Sequence, residues 1–262
     1  MSEDWIATPA GESSDTGGPV AIIPARLGST RFPEKVLAAR TGKPLIQHVY
    51  ESASRSRLAR RVVVACDHER VLKAVKAFGG DAVLTDPGHP NGTSRLAEAA
   101  AILGLADDTI VVNVQGDEPE IEGGLIDAVV DSLERSGAEV STAAAPLVGG
   151  EDARNPNVVK VVLRADGTAL YFSRSLVPYP RAESPTALPL RHVGIYGYRV
   201  KFLGEYARLA PTPLETTEML EQLRVLEHGY RISVAIYPAR AVGIDTPEQY
   251  ESFVERWRTG LG

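Results

Sequence analysis

The segment IPARLGSTRFPEK, residues 23–35, ends an apolar run on a proline and carries three spaced cations, Arg26, Arg31 and Lys35, around a glycine. Pro24 would end a strand, Gly28 would let the backbone approach a ligand, and backbone N–H groups with the Ser29 and Thr30 hydroxyls can donate to phosphate oxygens. Arg26 and Lys35 would then neutralise a polyanion. Ordinary solvated surface is the competing reading of these cations. In VVNVQGDEP, residues 111–119, Asp117 follows an apolar strand by two residues. A hard carboxylate oxygen beside a phosphate cradle suits Mg²⁺ holding nucleotide phosphates, and a turn-forming aspartate is the plainer alternative. Asp245 in VGIDTPEQY is a third candidate; it reads equally as the cap of the helix that follows.

The elements that must position these residues are short β-branched runs alternating with helical periodicity. Strands are predicted at 20–25, 61–66, 82–85 and 109–115, with helices near 44–56, 68–80, 93–104 and 123–136. Nearly continuous apolar strands between helices imply a doubly wound, mostly parallel sheet covered on both faces. The cationic loop then leaves the carboxyl end of strand one, the usual place for a phosphate cradle, and Asp117 lies at the same edge. After residue 150 the pattern changes. Asp166-Gly167 between two alternating runs predicts a hairpin, since such a turn needs positive φ. A Pro-rich loop (178–189), a strand at 192–199, a helix at 214–228, a strand at 231–237 and a last helix near 247–258 follow. On the helix at 214–228, Met219, Leu220, Leu223 and Leu226 would form one apolar face and Glu218, Glu221 and Gln222 the other. The expected organisation is an acidic tail over 1–18 and one domain over 19–262, with 155–200 a β excursion.

Composition narrows the classes of function. The chain has 262 residues with 44% hydrophobic and 24% charged, and carries a formal charge of -6. That balance argues against non-specific attraction to nucleic acid or an anionic membrane surface, and points to a small-molecule partner. A single cysteine, Cys66, precludes an internal disulfide and fits a reducing cytoplasm. No apolar stretch reaches the roughly 20 residues that span a bilayer. There is no G-x-G-x-x-G after a strand, and Gly42-Lys43 is followed by Pro44, so neither the dinucleotide turn nor the Walker loop is present.

Taken together, PARLGSTRFPEKVL, HPNGTSR (89–95), VNVQGDEP, ALYFSR, RHVGIYGYR, EMLEQLRVLEHG and GIDTPE stand in the order and spacing of the 3-deoxy-manno-octulosonate (Kdo) cytidylyltransferases, which this chain resembles over residues 20–256. The resemblance implies a nucleotidyltransferase-like, Rossmann-like three-layer α/β sandwich and transfer of CMP from CTP to the anomeric hydroxyl of Kdo, releasing pyrophosphate. It implies a cytoplasmic homodimer serving lipopolysaccharide biosynthesis, joined through the excursion, with Mg²⁺ as cofactor. By that similarity Arg26 and Lys35 would hold the CTP phosphates, and Asp117 and Asp245 would ligate Mg²⁺. Ala25, Gly28, Ser29, Gly92, Thr93, Arg95 and Gln115 would line the CTP site, while Gln115, Arg174, His192, Tyr196, Glu221 and Gln222 match acceptor-binding positions. Read alone, His192 is a hydrogen-bonded structural histidine, and Glu221 with Gln222 a solvated helix face. The chain departs from the family at Glu34, which stands where glycine is common before the loop lysine, at Pro90, Asn91 and Ser94, and at Thr216-Thr217. A cytidylyltransferase acting on another acid (a modified octulosonate, a nonulosonic acid or a phosphonate) and a non-catalytic nucleotide-binding module are the rival readings.

Overall fold

Strand β1 (Val20–Ala25) has almost no polar side because both of its faces are covered. Val20 and Ile22 enter one apolar cluster, while Ala21, Ile23 and Ala25 enter another on the opposite face. A computed structural model describes residues 17–29, 31–147, 152–181, 188–239 and 243–260. The expected tail therefore lies outside the described residues except for Gly17 and Gly18, as do Thr30 and residues 182–187 of the Pro-rich loop.

Beside β1 run β2 (Arg61–Cys66), β3 (Asp81–Leu84) and β4 (Ile110–Asn113), all parallel. The sheet continues through β5 (Val140–Pro146), β6 (Lys160–Leu163), β7 (Ala169–Ser173), β8 (Leu190–Arg199) and β9 (Ile232–Ile236), in the order β3-β2-β1-β4-β8-β5-β9. Helices α1 (Leu45–Ala53), α2 (Glu69–Ala77) and α4 (Gly123–Ser136) bury apolar stripes on one face of the sheet. On the other face lie α3 (Gly92–Ile102), α5 (Val200–Tyr206) and α7 (Gln222–Glu227), separated from α5 by α6 (Pro213–Glu218). Helix α8 (Pro247–Thr259) closes over the start of α1 through Tyr250, Phe253 and Leu45. The expected three-layer α/β sandwich with a mostly parallel sheet is what forms.

Two expectations are corrected. β8 falls within the span read as an excursion, yet it runs through the middle of the sheet, antiparallel to both β4 and β5. Only the β6–β7 hairpin hangs off it, paired at Lys160↔Arg191 and Val161↔Leu190. In the hairpin turn Gly167 alone takes positive φ (81°), and the loop closes by Arg164 N–H donating to Thr168 O at 2.7 Å. The second correction concerns 214–228, which is two short helices, α6 and α7. Met219 between them is left-handed at φ 52°, so the chain turns a corner there. Met219 is consequently 80% exposed and not part of an apolar face, while Leu220 and Leu223 remain buried.

Candidate active site

Three separated segments meet beyond the carboxyl ends of β1 and β4. Gly116 permits the approach: a Cβ there would stand 2.6 Å from the Pro24 carbonyl oxygen. Any side chain would push the two loops apart. Val114 N–H donates to Ile22 O at 3.0 Å, and Ile244 N–H to Asp117 O at 2.9 Å, so the segment before α8 is tied to the Asp117 loop. Thr246, not Asp245, caps α8, accepting from Gln249 N–H in a capping box with Pro247 in the first turn. The Asp245 carboxylate is thereby left to face the β1 loop.

Lys35 stands at the centre of this meeting. Its Nζ donates to Asp117 Oδ2 at 2.9 Å and to Ile244 O at 2.6 Å, and lies 3.5 Å from Asp245 Oδ1. Arg31 Nη2 reaches the same Asp245 oxygen at 3.1 Å. Arg26 Nη2 donates to His89 O at 2.9 Å. Arg26, Gly28, Ser29, Lys35, Asp117 and Asp245 all wall one cavity of about 460 Å³, together with Gly92 and Gln115. In this wall the cations and the two carboxylates are interleaved and paired, Lys35 with Asp117 and Asp245 and Arg31 with Asp245, a setting polar enough to receive a polyanion. Among the described residues no three His, Cys, Asp or Glu side chains cluster to hold a metal. Asp117 and Asp245 bring two carboxylates from separate segments to Lys35, and one or two carboxylates are what a protein offers Mg²⁺ when phosphate oxygens supply further ligands.

The β1 loop is braced by the segment after β2. Leu27 N–H donates to Asp67 Oδ1 at 2.9 Å, and Arg70 grips both Glu34 carboxylate oxygens at 2.5 and 2.7 Å. Glu34 sits at φ 54°, the left-handed region that glycine enters without cost. The Arg70 hydrogen bonds hold its carboxyl below the usual carboxylate range.

A second cavity, of about 290 Å³, shares Gly92 and Gln115 with the first. Of the expected residues, Thr93, Tyr196, Glu221 and Gln222 line it. The corner at Met219 is what delivers Glu221 and Gln222. It is held by an ion pair within the α6–α7 unit, Arg224 to Glu215 at 2.5 and 2.7 Å, and by Arg174, whose Nε donates to Glu218 O at 2.6 Å. Partial desolvation against the cavity wall pushes the Glu221 carboxyl up although the residue stays open to solvent, opposed by Arg224, a hydrogen bond from Tyr206 and, across the shared wall, Arg26. Pattern-reading missed Asn113, Tyr198 and Tyr206 in this wall. Asn113 is only 5% exposed, and its Oδ1 meets no donor among the described residues. An isolated asparagine at a strand end carries no periodic signal, and the two tyrosines read as ordinary core.

Four expected site residues stand outside both cavity walls. Ala25 is buried at the end of β1. Arg95 is fully buried, its Nη1 donating to Thr85 Oγ1 at 2.5 Å and Asp86 O at 3.2 Å, with Nε and Nη2 unpartnered among the described residues. Arg174 spends its guanidinium on the carbonyls of Pro156, Glu218 and Met219. His192 packs edge-on against Phe172, its Nε2 3.0 Å from Thr142 Oγ1, and burial with Arg191 pushes its pKa down to about 3. Beside Asp117, burial and the Asp117 charge raise Glu118 to about 7. Cys66 is a buried thiol whose pKa burial pushes up.

Comparison with known proteins completes the picture. Residues 20–232 match the cytidylyltransferase family. A solved structure of a CMP:2-keto-3-deoxy-manno-octonic acid synthetase complexed with CTP is 40% identical, superposes with a TM-score of 0.86, and is matched over 93% of this chain and 100% of that one. A cytidylyltransferase from Leptospira borgpetersenii serovar Hardjo-bovis (strain JB197), 18% identical with a TM-score of 0.60 over 93% of this chain and 88% of that one, shares the fold.

Proposed function

This chain belongs to the cytidylyltransferase family, and from that premise we propose that it transfers CMP from CTP to the anomeric hydroxyl of Kdo, releasing pyrophosphate. The observation that carries the reading is the pair of adjacent cavities: one walled by Arg26, Lys35, Asp117 and Asp245, the next by Tyr196, Glu221 and Gln222, with Gly92 and Gln115 common to both. A triphosphate in the first and a polyhydroxylated acid in the second would meet at that common wall.

The chain's own residues divide the work. Arg26, Lys35 and the N–H groups about Gly28 and Ser29 bind the triphosphate and stabilise the charge that develops on the departing pyrophosphate. Gly92 and Gln115 would lie where the nucleotide gives way to the acceptor, with Thr93 on the acceptor side, while Arg95 would support the nucleotide side from behind, through Thr85 and Asp86. Tyr196, Glu221 and Gln222 hydrogen-bond the acceptor hydroxyls, aligning one of them for in-line attack. Arg174 and His192 act from behind this wall, through Glu218 and Thr142 respectively. Asp117 and Asp245 are the residues that would hold Mg²⁺. When bound, that ion supplies charge against the triphosphate and lowers the pKa of the attacking hydroxyl. Cytoplasmic location, a homodimer and a place in lipopolysaccharide biosynthesis belong to the same proposal; among the described residues no helix is long and apolar enough to cross a membrane.

The test is pyrophosphate release from CTP with a panel of acidic sugars, with and without Mg²⁺. Release with Kdo alone supports the reading. Release only with a nonulosonic or modified octulosonic acid would move the acceptor, and CTP binding without release on any acid would remove the enzymatic assignment.

A further inference from the structure

We propose that Arg70 is a positioning residue for Lys35, acting through Glu34. This deepens the functional reading above and rests on its assignment of Lys35 to the phosphates. Three observations converge on it. Glu34 is the residue immediately before Lys35, and its φ of 54° is one of two positive values at non-glycine positions among the described residues. A side chain in that conformation is strained by its own Cβ, so the native backbone needs an outside hold. That hold is Arg70, which meets both Glu34 oxygens in a bidentate pair from the first turn of α2. The Arg70 backbone is itself anchored, because His68 caps α2 by accepting from Arg70 N–H at 3.0 Å.

The consequence falls on Lys35 directly. Glu34 is the N-terminal flank of the short 3-10 helix Lys35–Leu37, and Leu37 N–H donates to Glu34 O at 2.8 Å. If Glu34 relaxes to negative φ, this turn reorients and Nζ leaves Asp117 and Ile244. Glycine at 34 would hold the same backbone with no clamp, because it enters the left-handed region without penalty. Arg70 is thus the compensation for carrying Glu34 at a position whose backbone suits glycine. A pair this exposed, with side chains 53% and 49% accessible, is also one that salt weakens.

Four proteins test the idea: wild type, Arg70→Ala, Glu34→Gly and the double variant. The readouts are amide exchange at Lys35, Leu37 and Ala38, thermal midpoint, and kcat/KM for CTP at low and at high NaCl. Arg70→Ala is expected to speed exchange at these amides and lower kcat/KM about three- to tenfold, with the midpoint unchanged. Adding Glu34→Gly should restore both to within about twofold of wild type, and Glu34→Gly alone should blunt the salt sensitivity of the rate. If Arg70→Ala leaves loop exchange unchanged, there is no clamp. If the double variant stays as impaired as Arg70→Ala, Arg70 acts on the ligand rather than through Glu34. A wild type inactive on every acid sugar would defeat the functional reading, while the exchange arm would still decide whether the clamp exists.

Discussion

The cavity beside Lys35 takes its walls from the carboxyl ends of parallel strands β1 and β4 and from the segment before α8. The cavity beside Tyr196 takes its walls from antiparallel β8 and the corner between α6 and α7. In the first, charged groups stand at loop ends, answer one another directly, and contribute little to the core. The second is lined by residues whose positions depend on buried support: the Arg224–Glu215 pair, with side chains 15% and 10% accessible, Arg174 on backbone carbonyls, and His192 on Thr142. Chemistry and stability should therefore separate on one side of the molecule and be inseparable on the other.

The largest effect is expected of Asp117→Ala. It removes one of two carboxylates on Lys35 and no core volume, so turnover should fall by about a thousandfold, with the urea midpoint unchanged. A variant with normal kcat would detach the carboxylate from the chemistry. On the other side, Glu215→Ala strands the Arg224 guanidinium in a buried setting and should cost about 3 kcal/mol in urea unfolding while raising KM for the acceptor. Loss of stability with KM unchanged would show that the corner does not serve the second cavity.

Acid should act through the same side. The folded state holds His192 near a pKa of 3 against 6.5 for the ordinary imidazole. Between those values the unfolded chain binds a proton that the folded chain refuses, so the His192 contribution to stability falls as pH drops from about 6.5 towards 3, by at most about 1.4 kcal/mol per pH unit, while Glu118, raised to about 7, contributes in the opposite sense between about 7 and 4.5. His192→Gln should remove the first contribution, so that stability relative to wild type improves as pH falls in thermal scans from pH 7 to 4, and an unchanged difference would place the acid sensitivity elsewhere. The smallest effect is expected at Met219. Its left-handed backbone and exposed side chain mean that Met219→Gly should raise stability by about 0.5 kcal/mol, readable as a small upward shift in thermal midpoint. A fall would show that the methionine side chain packs usefully at the corner.

Legibility in the sequence follows the same division. That Arg26, Lys35 and Asp117 share one cavity wall was legible because they follow contiguous apolar strands, VAIIPA and TIVVNVQ, whose carboxyl ends lie at one sheet edge. The helix at 123–136 and the hairpin at Asp166-Gly167 were legible for similar local reasons. The acceptor wall was not. The apolar spacing of Leu220, Leu223 and Leu226 continues a helical period across Met219, and no glycine or proline announces the corner. Glu34 hides its left-handed backbone in the same way. β5 was missed because VSTAAAP is rich in alanine rather than β-branched residues, and β8 was read as a strand whose central, antiparallel place depends on partners far away in sequence. Arg174 and His192 were assigned by family likeness, and their side chains turn out to serve the protein's own backbone and Thr142.

Cys66, shielded at the end of β2, is the chain's sole sulfhydryl. With burial raising its pKa and its Sγ directed at Val83 O, maleimide dyes and spin labels should largely pass it by. Wild type is therefore a near-silent background in which a cysteine introduced at exposed Met219 and another at exposed Tyr179 would report the spacing of the corner and the loop after β7, without first deleting anything native.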